Sequence, residues 1–124
     1  MNIVIEHGIE GANLAVSRQD AIIIVDTIRA STTYVNAFSS GVKRIVPCAS
    51  REDLLTRLEK YPESVKSGER MCKKIEGYDY GSSPREMSVA DLNGKTMLST
   101  TTNGSRMVVA SADSPCVVMG SFCN

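Results

Sequence analysis

Short apolar runs recur along the chain and predict β-strands separated by segments that suit helices. The run from Ala21 to Val25 is continuous and β-branched, which is typical of a strand buried on both faces of a sheet. Residues 96–100 and 117–119 form two further clear apolar runs. Weaker runs predict additional strands over residues 3–5, 44–47 and 64–68. The predicted strands are therefore spread over the whole chain.

Between these runs the residue pattern favours helices. One helix is predicted over residues 30–40, where Gly41 is positioned to end it. A second begins after Ser50, because Ser50 with Asp53 three residues later resembles a capping pattern. The apolar stripe of this second helix consists of Leu54, Leu55 and Leu58. A third, built from small residues, is predicted over residues 107–112.

The alternation of strands and helices predicts one α/β domain over residues 1–124, layered α/β/α around a mostly parallel sheet. Residues 69–86 have the composition of a loop, in which Pro84 suits the first position of a short helix. The chain stops soon after its last apolar strand, where alternating folds usually continue into a helix. We therefore expect either that the chain is a fragment or that a partner, such as another copy in a homo-oligomer, covers the sheet.

Composition narrows the class of protein. The chain has 124 residues, and its 14 basic residues balance 14 acidic ones, so the formal net charge is zero. A nucleic-acid or membrane-surface partner would require a strongly basic surface, so we expect neither. The first ten residues lack a signal-peptide pattern, and no apolar segment is long enough to span a membrane. These observations predict a cytoplasmic protein.

The four cysteines fit neither a zinc site nor a disulfide scaffold, because none forms a C-x-x-C pair. We therefore expect reduced thiols. Three of them are predicted to serve as small core residues: Cys48, Cys116 and Cys123.

The first segment with candidate chemistry follows the strand at residues 21–25. Asp26 ends an apolar strand, where a carboxylate is costly unless it is paired, hydrogen-bonded or bound to metal. Arg29 adds a planar cation suited to phosphate or carboxylate. Three hydroxyl residues then open the predicted helix: Ser31, Thr32 and Thr33. This pattern predicts an anion or metal–phosphate site, and the alternative is that Asp26 pairs with Arg29 while Ser31 caps the helix.

A second segment, residues 100–106, repeats the arrangement after another strand. Gly104 permits a close approach of the backbone, and Arg106 adds a cation. The polar residues of the segment that would hold an anion are Thr101, Thr102, Asn103 and Ser105. The alternative is an ordinary helix cap with a turn glycine. Since the carboxyl ends of parallel strands meet at one edge of a sheet, we expect both segments at the same edge.

A third segment, residues 77–86, is dense in glycine, serine, tyrosine and charge, and Gly68, Glu69 and Arg70 lie shortly before it. Asp79 is a candidate metal ligand or acid–base group, and Ser83 precedes a predicted helix start. The alternative is an ordinary surface loop.

Taken in order, these motifs resemble the 2-phosphosulfolactate phosphatase family. They are D-T-I-R-A-S-T-T at 26–33, G-E-R at 68–70, G-Y-D-Y-G-S-S-P-R-E at 77–86 and T-T-N-G-S at 101–105. The likeness extends from about Glu10 to Asn124. It implies a magnesium-dependent phosphatase that hydrolyses 2-phosphosulfolactate, a small anionic phosphate ester, to sulfolactate and phosphate. That reaction is a step in coenzyme M biosynthesis.

The resemblance also implies roles for individual residues. Asp26, Arg29 and Asp79 become the expected catalytic residues, and Asp26 with Asp79 the expected magnesium ligands, with Glu69 and Glu86 behind them. The expected substrate-binding residues are Ser31, Thr32, Thr33, Arg70, Ser83, Thr101, Thr102, Asn103, Gly104 and Ser105.

The chain departs from the family pattern at three points. Ser82 stands where asparagine is usual, Ser105 stands where threonine is usual, and family members are longer than this chain. We therefore expect the N-terminal part of a longer family member. Two alternatives stay open: a non-catalytic domain that binds small anions, and an inactive fragment that assembles through its C-terminal strand.

Overall fold

Helices and strands alternate along the chain as the apolar pattern predicts. A computed structural model describes residues 1–124. Its helices are α1 (Gly8–Ser17), α2 (Ala30–Ser39), α3 (Arg51–Lys60), α4 (Pro84–Val89) and α5 (Gly104–Ala110). Its strands are β1 (Ala21–Val25), β2 (Arg44–Pro47), β3 (Val65–Arg70), β4 (Lys73–Lys74), β5 (Thr96–Thr100) and β6 (Cys116–Gly120). None of the five helices has the length and apolarity that a membrane span requires.

The strands form two sheets, one of two strands and one of four. In the first, β1 pairs in parallel with β6; in the second, the order is β2-β5-β3-β4. All pairings are parallel except the short one between β3 and β4. The predicted α/β class with mostly parallel strands is therefore confirmed, although the strands divide into two sheets.

Strand β5 is the centre of the larger sheet, because it pairs with β2 on one side and β3 on the other. Met97 and Leu98 are fully buried and point to opposite faces, as alternation along a strand requires. Met97 belongs to a cluster with residues of α2 and α4, and Leu98 to a second cluster with Leu54 of α3 and Tyr78. Helices thus cover both faces of this sheet.

Local capping explains where two helices begin. The Ser50 hydroxyl accepts a hydrogen bond from the Asp53 backbone N–H at 3.1 Å, as the sequence pattern predicts for α3. Ser83 caps α4 in the same way by accepting from the Glu86 N–H, and Pro84 occupies the first helical position. The predicted starts of both helices are confirmed.

Near the amino terminus one prediction is wrong, and the pattern misses one helix. Residues 3–5 do not form a strand, because they are exposed and no neighbouring strand supplies hydrogen bonds. The next residues form α1, which the pattern did not predict because Gly8 and Gly11 lower helix propensity. The helix packs through its small buried residues, among them Ala12 and Ala15.

Three burial predictions are also wrong. Strand β1 is not buried on both faces, since the side chains of Ile23 and Val25 are 67% and 65% exposed. Cys116 and Cys123 are exposed rather than in the core, because β6 is covered on one face and Cys123 follows its end. Cys48 is buried as predicted, and burial raises the pKa of its thiol to about 11. The cysteines are free, as expected.

Candidate active site

A cleft of about 110 Å³ lies where the carboxyl ends of β1, β3 and β5 lead into their connections. Its lining residues come from four parts of the sequence: Asp26, Ile28, Arg29, Ala30, Glu69, Cys72, Ser82, Thr101 and Asn103. This is the edge at which ligands bind in open parallel sheets. The segments after β1 and β5 therefore meet as predicted, but β1 and β5 belong to different sheets, so the meeting place is a cleft between sheet ends rather than one edge of a single sheet.

Asp26 is held by its backbone while its side chain is left free. Its N–H donates to the Ser31 hydroxyl at 2.7 Å, and its carbonyl accepts from the Ser31 N–H at 2.9 Å. Neither oxygen of the Asp26 carboxylate accepts a hydrogen bond or joins a salt bridge. The carboxylate therefore lies in the cleft without a partner from the protein, as a group that binds a ligand or metal would.

Arg29 does not neutralise Asp26. Its guanidinium donates through Nη2 to the carbonyl of Cys72 at 3.3 Å and forms no salt bridge. Because a guanidinium carries five N–H donors, most of its donors remain available to an anion in the cleft. The alternative in which Asp26 and Arg29 form a purely structural ion pair is excluded.

The hydroxyls at the start of α2 stabilise the fold rather than line the cleft. Thr32 donates to the carbonyl of Thr27 at 2.7 Å, and Thr33 donates to the carbonyl of Arg29 at 2.8 Å. Ser31 is fully buried and binds the Asp26 backbone. The structure thus does not bring Ser31, Thr32 and Thr33, all expected to bind substrate, into the cleft, since each is occupied by backbone groups.

The connection after β5 is built around a reciprocal pair of hydrogen bonds. The Thr101 N–H donates to the Ser105 hydroxyl at 2.8 Å, and the Ser105 N–H donates to the Thr101 hydroxyl at 2.9 Å. The Ser105 hydroxyl also donates to the carbonyl of Cys48 at 2.9 Å, which joins the end of β2 to this connection. Asn103 precedes α5 and makes no side-chain capping bond, so its amide is free beside the cleft.

Gly104 brings the two connections into direct contact. A Cβ atom at this position would lie 2.4 Å from the Cβ of Ala30 and 2.8 Å from Oδ2 of Asp26. Neither distance is compatible with a side chain, so glycine is required by close packing rather than by its φ angle. The position of the Asp26 carboxylate therefore depends on the absence of a side chain at residue 104.

Glu69 is a second carboxylate in the cleft. Its Oε1 accepts from the Thr102 N–H at 2.7 Å, and its Oε2 accepts from the Cys72 N–H at 3.0 Å. Partial burial acts to raise the pKa of Glu69, but hydrogen bonds from Thr102 and Cys72 and the charge of Arg70 outweigh it and lower the pKa. Glu69 is therefore an ionised group in a fixed position.

Arg70 is placed beside this arrangement. It donates through Nη2 to the Thr100 hydroxyl at 3.1 Å and through Nη1 to the carbonyl of Glu69 at 2.8 Å. It thus lies across the ends of β3 and β5, next to the cleft rather than in its lining.

The structure does not bring Asp79 to Asp26, contrary to the expectation that they share a metal ion. Oδ2 of Asp79 accepts from the Lys66 N–H at 2.7 Å, near the beginning of β3, whereas the cleft lies at the other end. Ser83 caps α4, and Glu86 accepts from the Gly81 N–H, so neither lines the cleft.

The cleft also contains residues that sequence reasoning placed second or missed. The sequence indicates Glu69 only as a secondary magnesium ligand, and Ser82 only as a departure from the family pattern. Ile28, Ala30 and Cys72 were not predicted as lining residues. The G-E-R triplet at residues 68–70 is the sequence signal for Glu69. The direction of the Glu69 side chain, however, depends on the left-handed backbone of Met71 and Cys72, which follow the triplet.

Comparison with known protein families gives a match over nearly the whole chain. The sequence model of the 2-phosphosulpholactate phosphatase family matches residues 9–124. The chain belongs to this family. The match includes every residue of the cleft, so the resemblance of the four motifs is confirmed.

Individual relatives in the 2-phosphosulfolactate phosphatase family give the same result. The chain is 39% identical over 105 residues to a probable 2-phosphosulfolactate phosphatase of Caldicellulosiruptor saccharolyticus, covering 82% of this chain and 42% of the relative. A protein of the same name from Clostridium acetobutylicum is 35% identical over 103 residues, covering 82% and 44%. One from Synechocystis sp. is 32% identical over 110 residues, covering 87% and 46%. The chain thus spans about half the length of the curated relatives it matches.

The oxygen atoms in the cleft suit a hard divalent cation. The described residues contain no group of three or more His, Cys, Asp or Glu side chains arranged around a metal position. Magnesium, however, keeps several water ligands and is commonly held by one or two carboxylates together with substrate phosphate. Asp26 and Glu69 supply two carboxylates in one cleft, so the donor set fits magnesium.

Proposed function

We propose that this chain forms the active-site cleft of a phosphatase that hydrolyses 2-phosphosulfolactate or a similar small, multiply anionic phosphate ester. Its membership of the 2-phosphosulpholactate phosphatase family and the names of its relatives support this substrate class. The observation that carries the proposal is the unpartnered Asp26 carboxylate, which shares a cleft with the free donors of Arg29 and Asn103.

Magnesium is part of the proposal. Two carboxylates in a cleft repel an anionic substrate unless a cation lies between them, and Asp26 with Glu69 would hold that cation. When bound, magnesium would neutralise charge on the phosphate oxygens. Asp79, whose carboxylate is bound to the Lys66 N–H, has no part in this arrangement.

The remaining groups of the cleft bind and orient the substrate. Arg29 presents N–H donors suited to phosphate oxygens, and the Asn103 amide offers a neutral donor on the side of α5. Hydrolysis transfers the phosphoryl group to water, breaks the ester P–O bond and releases phosphate with the hydroxy acid. Phosphoryl transfer depends mainly on positioning and charge neutralisation. The Arg29 guanidinium and a magnesium ion held by Asp26 and Glu69 would neutralise the charge, and the hydrogen bonds that fix Glu69 would help to position the ion. We also propose the cytoplasmic location and the role in coenzyme M biosynthesis that the family resemblance implies.

A phosphate-release assay with two matched aspartate variants tests the proposal. It uses 2-phosphosulfolactate with and without magnesium, on this chain and on a chimaera. In the chimaera, this chain replaces the matching region of the Clostridium acetobutylicum relative. We expect magnesium-dependent release that Asp26→Asn lowers about 100-fold or more, because losing one of the two carboxylates that would hold magnesium weakens the stabilisation of transition-state charge that the ion would give. Asp79→Asn should keep most of the activity.

Three results would contradict the proposal. The first is an absence of phosphate release from both the chain and the chimaera. The second is equal loss in the two aspartate variants, which would mean that Asp26 acts only through the fold. The third is stabilisation by inorganic phosphate without turnover in either form, which would indicate an anion-binding domain instead.

A further inference from the structure

The sheet formed by β1 and β6 has one bare apolar face. The parallel register places Ala21 beside Cys116, Ile23 beside Val118 and Val25 beside Gly120. Because neighbours in register point to the same side, these residues share one face of the sheet. Ile23 and Val25 are about two-thirds exposed, and Val118 is 48% exposed. A face built from β-branched side chains is therefore open to solvent.

Exposed apolar side chains also follow the ends of both strands. Ile28 follows β1 and is 88% exposed, and Phe122 follows β6 and is 96% exposed. Ile28 also lines the cleft beside Asp26 and Arg29. We call Ile23, Val25 and Val118 the outer face; none of them carries a charge or a polar side-chain group.

The opposite face of the same sheet is already covered. Ile24 is 4% exposed, and Met119 packs against the cluster that contains Tyr34 and Met97. Parallel strands in α/β proteins are covered on both faces, and monomeric proteins rarely leave large contiguous apolar patches in water. The outer face is thus the half of this sheet that lacks its covering layer.

The relatives supply the polypeptide that would form this layer. This chain matches between 42% and 46% of the three relatives described above, so more than half of each lies outside the match. We infer that the outer face is the docking surface for the additional polypeptide of the longer family members, which covers it with apolar side chains.

Cys116 provides a reporter that leaves the fold unchanged. It is an exposed free thiol beside Ala21 on this face, whereas Cys48 is buried. The experiment uses variants with Cys72→Ser and Cys123→Ser, in the isolated chain and in the chimaera with the relative's own cysteines replaced by serine. A bulky maleimide reports the accessibility of Cys116. The matched control carries Leu55→Cys with Cys116→Ser, because Leu55 is 50% exposed on α3, which packs on the other sheet.

We expect Cys116 to react readily in the isolated chain and at least about tenfold more slowly in the chimaera, as a thiol under a docked layer does. The control thiol should react at the same rate in both. Equal Cys116 rates in the two forms would overturn the inference. Concentration-dependent protection in the isolated chain would also overturn it, because a second copy would then be the occupant.

A second variant provides an independent test in case the chimaera folds poorly. Val118→Asp should lower the Tm of the chimaera and leave that of the isolated chain nearly unchanged, since a charge is costly only where the face is covered. An equal loss in both, or a chimaera that exposes Cys48 as well, counts against docking. These measurements do not depend on enzymatic activity, so a failure of the docking inference can be distinguished from a failure of the proposed phosphatase reaction.

Discussion

The two connections that form the cleft have similar sequences but use their side chains differently. In both, a serine hydroxyl accepts the N–H of a residue at the end of the preceding strand: Ser31 accepts from Asp26, and Ser105 accepts from Thr101. After β5, the Thr101 side chain is itself bound by the Ser105 N–H. After β1, the Asp26 side chain is left unpaired. The comparison shows that the hydroxyls shape these loops, while the charged and amide groups face the cleft.

The largest effect is expected where the two connections touch. Gly104→Ala would place a methyl group 2.4 Å from Ala30 and 2.8 Å from the Asp26 carboxylate. We expect a loss of about 3 kcal/mol in unfolding free energy from this overpacking. Phosphatase activity should also fall steeply, because Asp26 would be displaced. Urea unfolding and the phosphate-release assay measure the two effects.

Gly94→Ala is the control for that substitution. Gly94 has a positive φ of +71° but no neighbouring atom within 4 Å of an added Cβ. Its replacement should cost only about 1 kcal/mol of left-handed backbone strain and leave activity unchanged. Equal effects of the two substitutions would mean that close packing between the connections is unimportant.

The next prediction compares the two serines directly. Ser105→Ala leaves the buried Thr101 N–H and the Cys48 carbonyl without their partner, so we expect a loss of about 2 kcal/mol in unfolding free energy. Ser31→Ala removes one bond to the half-buried Asp26 N–H and should cost about 1 kcal/mol. Urea unfolding at pH 7 gives both values. A larger loss for Ser31→Ala would contradict the view that Ser105 joins more of the structure.

Glu69 gives a prediction in pH. Its pKa in the folded protein lies below the ordinary value of 4.5, so its ionised form stabilises the fold. This contribution is fully present above pH 4.5 and disappears as the pH falls through the lowered pKa. The unfolding free energy of the wild type should therefore exceed that of Glu69→Gln at pH 7, and the difference should shrink on acidification. The prediction is wrong if the difference in unfolding free energy between the two proteins does not change with pH, because the hydrogen bonds to Glu69 would then not depend on its charge.

The smallest effect is expected for a substitution at the buried Tyr34 of α2. The Tyr34 hydroxyl on α2 and the Ser99 hydroxyl on β5 are buried near each other, but they do not meet the geometry of a hydrogen bond, and neither has another partner. Burial raises the pKa of Tyr34, so its phenol stays neutral. Tyr34→Phe should change the unfolding free energy by no more than about 0.5 kcal/mol, because no partner is lost. Calorimetry resolves such a change, and a loss of several times that size would reveal a bond to this hydroxyl.

Much of the fold follows from local pattern, and the exceptions have identifiable causes. Strand β5 and the caps at Ser50 and Ser83 were predictable, since each depends on neighbours in sequence. The first helix was not, because its glycine-containing sequence is helical only through packing. The exposure of Ile23 was not predictable either, because the β-branched run indicates a strand but does not show what covers it.

The candidate site follows the same division. The sequence predicts which segments meet, because parallel strands end at a common edge. It does not predict which group of each segment faces the cleft. Glu69 lies in β3 and Asp79 follows it, yet Asp79 accepts from Lys66 near the beginning of β3, whereas Glu69 accepts from Thr102 after the end of β5. That choice depends on the path of the backbone through residues 70–80, which local residue pattern does not determine.

The hydroxyl of Ser105 has a consequence for how the pocket comes into being. Through this one atom the end of β2, the connection after β5 and the start of α5 are linked, although Cys48 and Ser105 are 57 positions apart in the chain. A partly folded chain that lacks either strand has no means of shaping the pocket. Binding competence should thus arise in one cooperative step with the tertiary structure, instead of accumulating element by element.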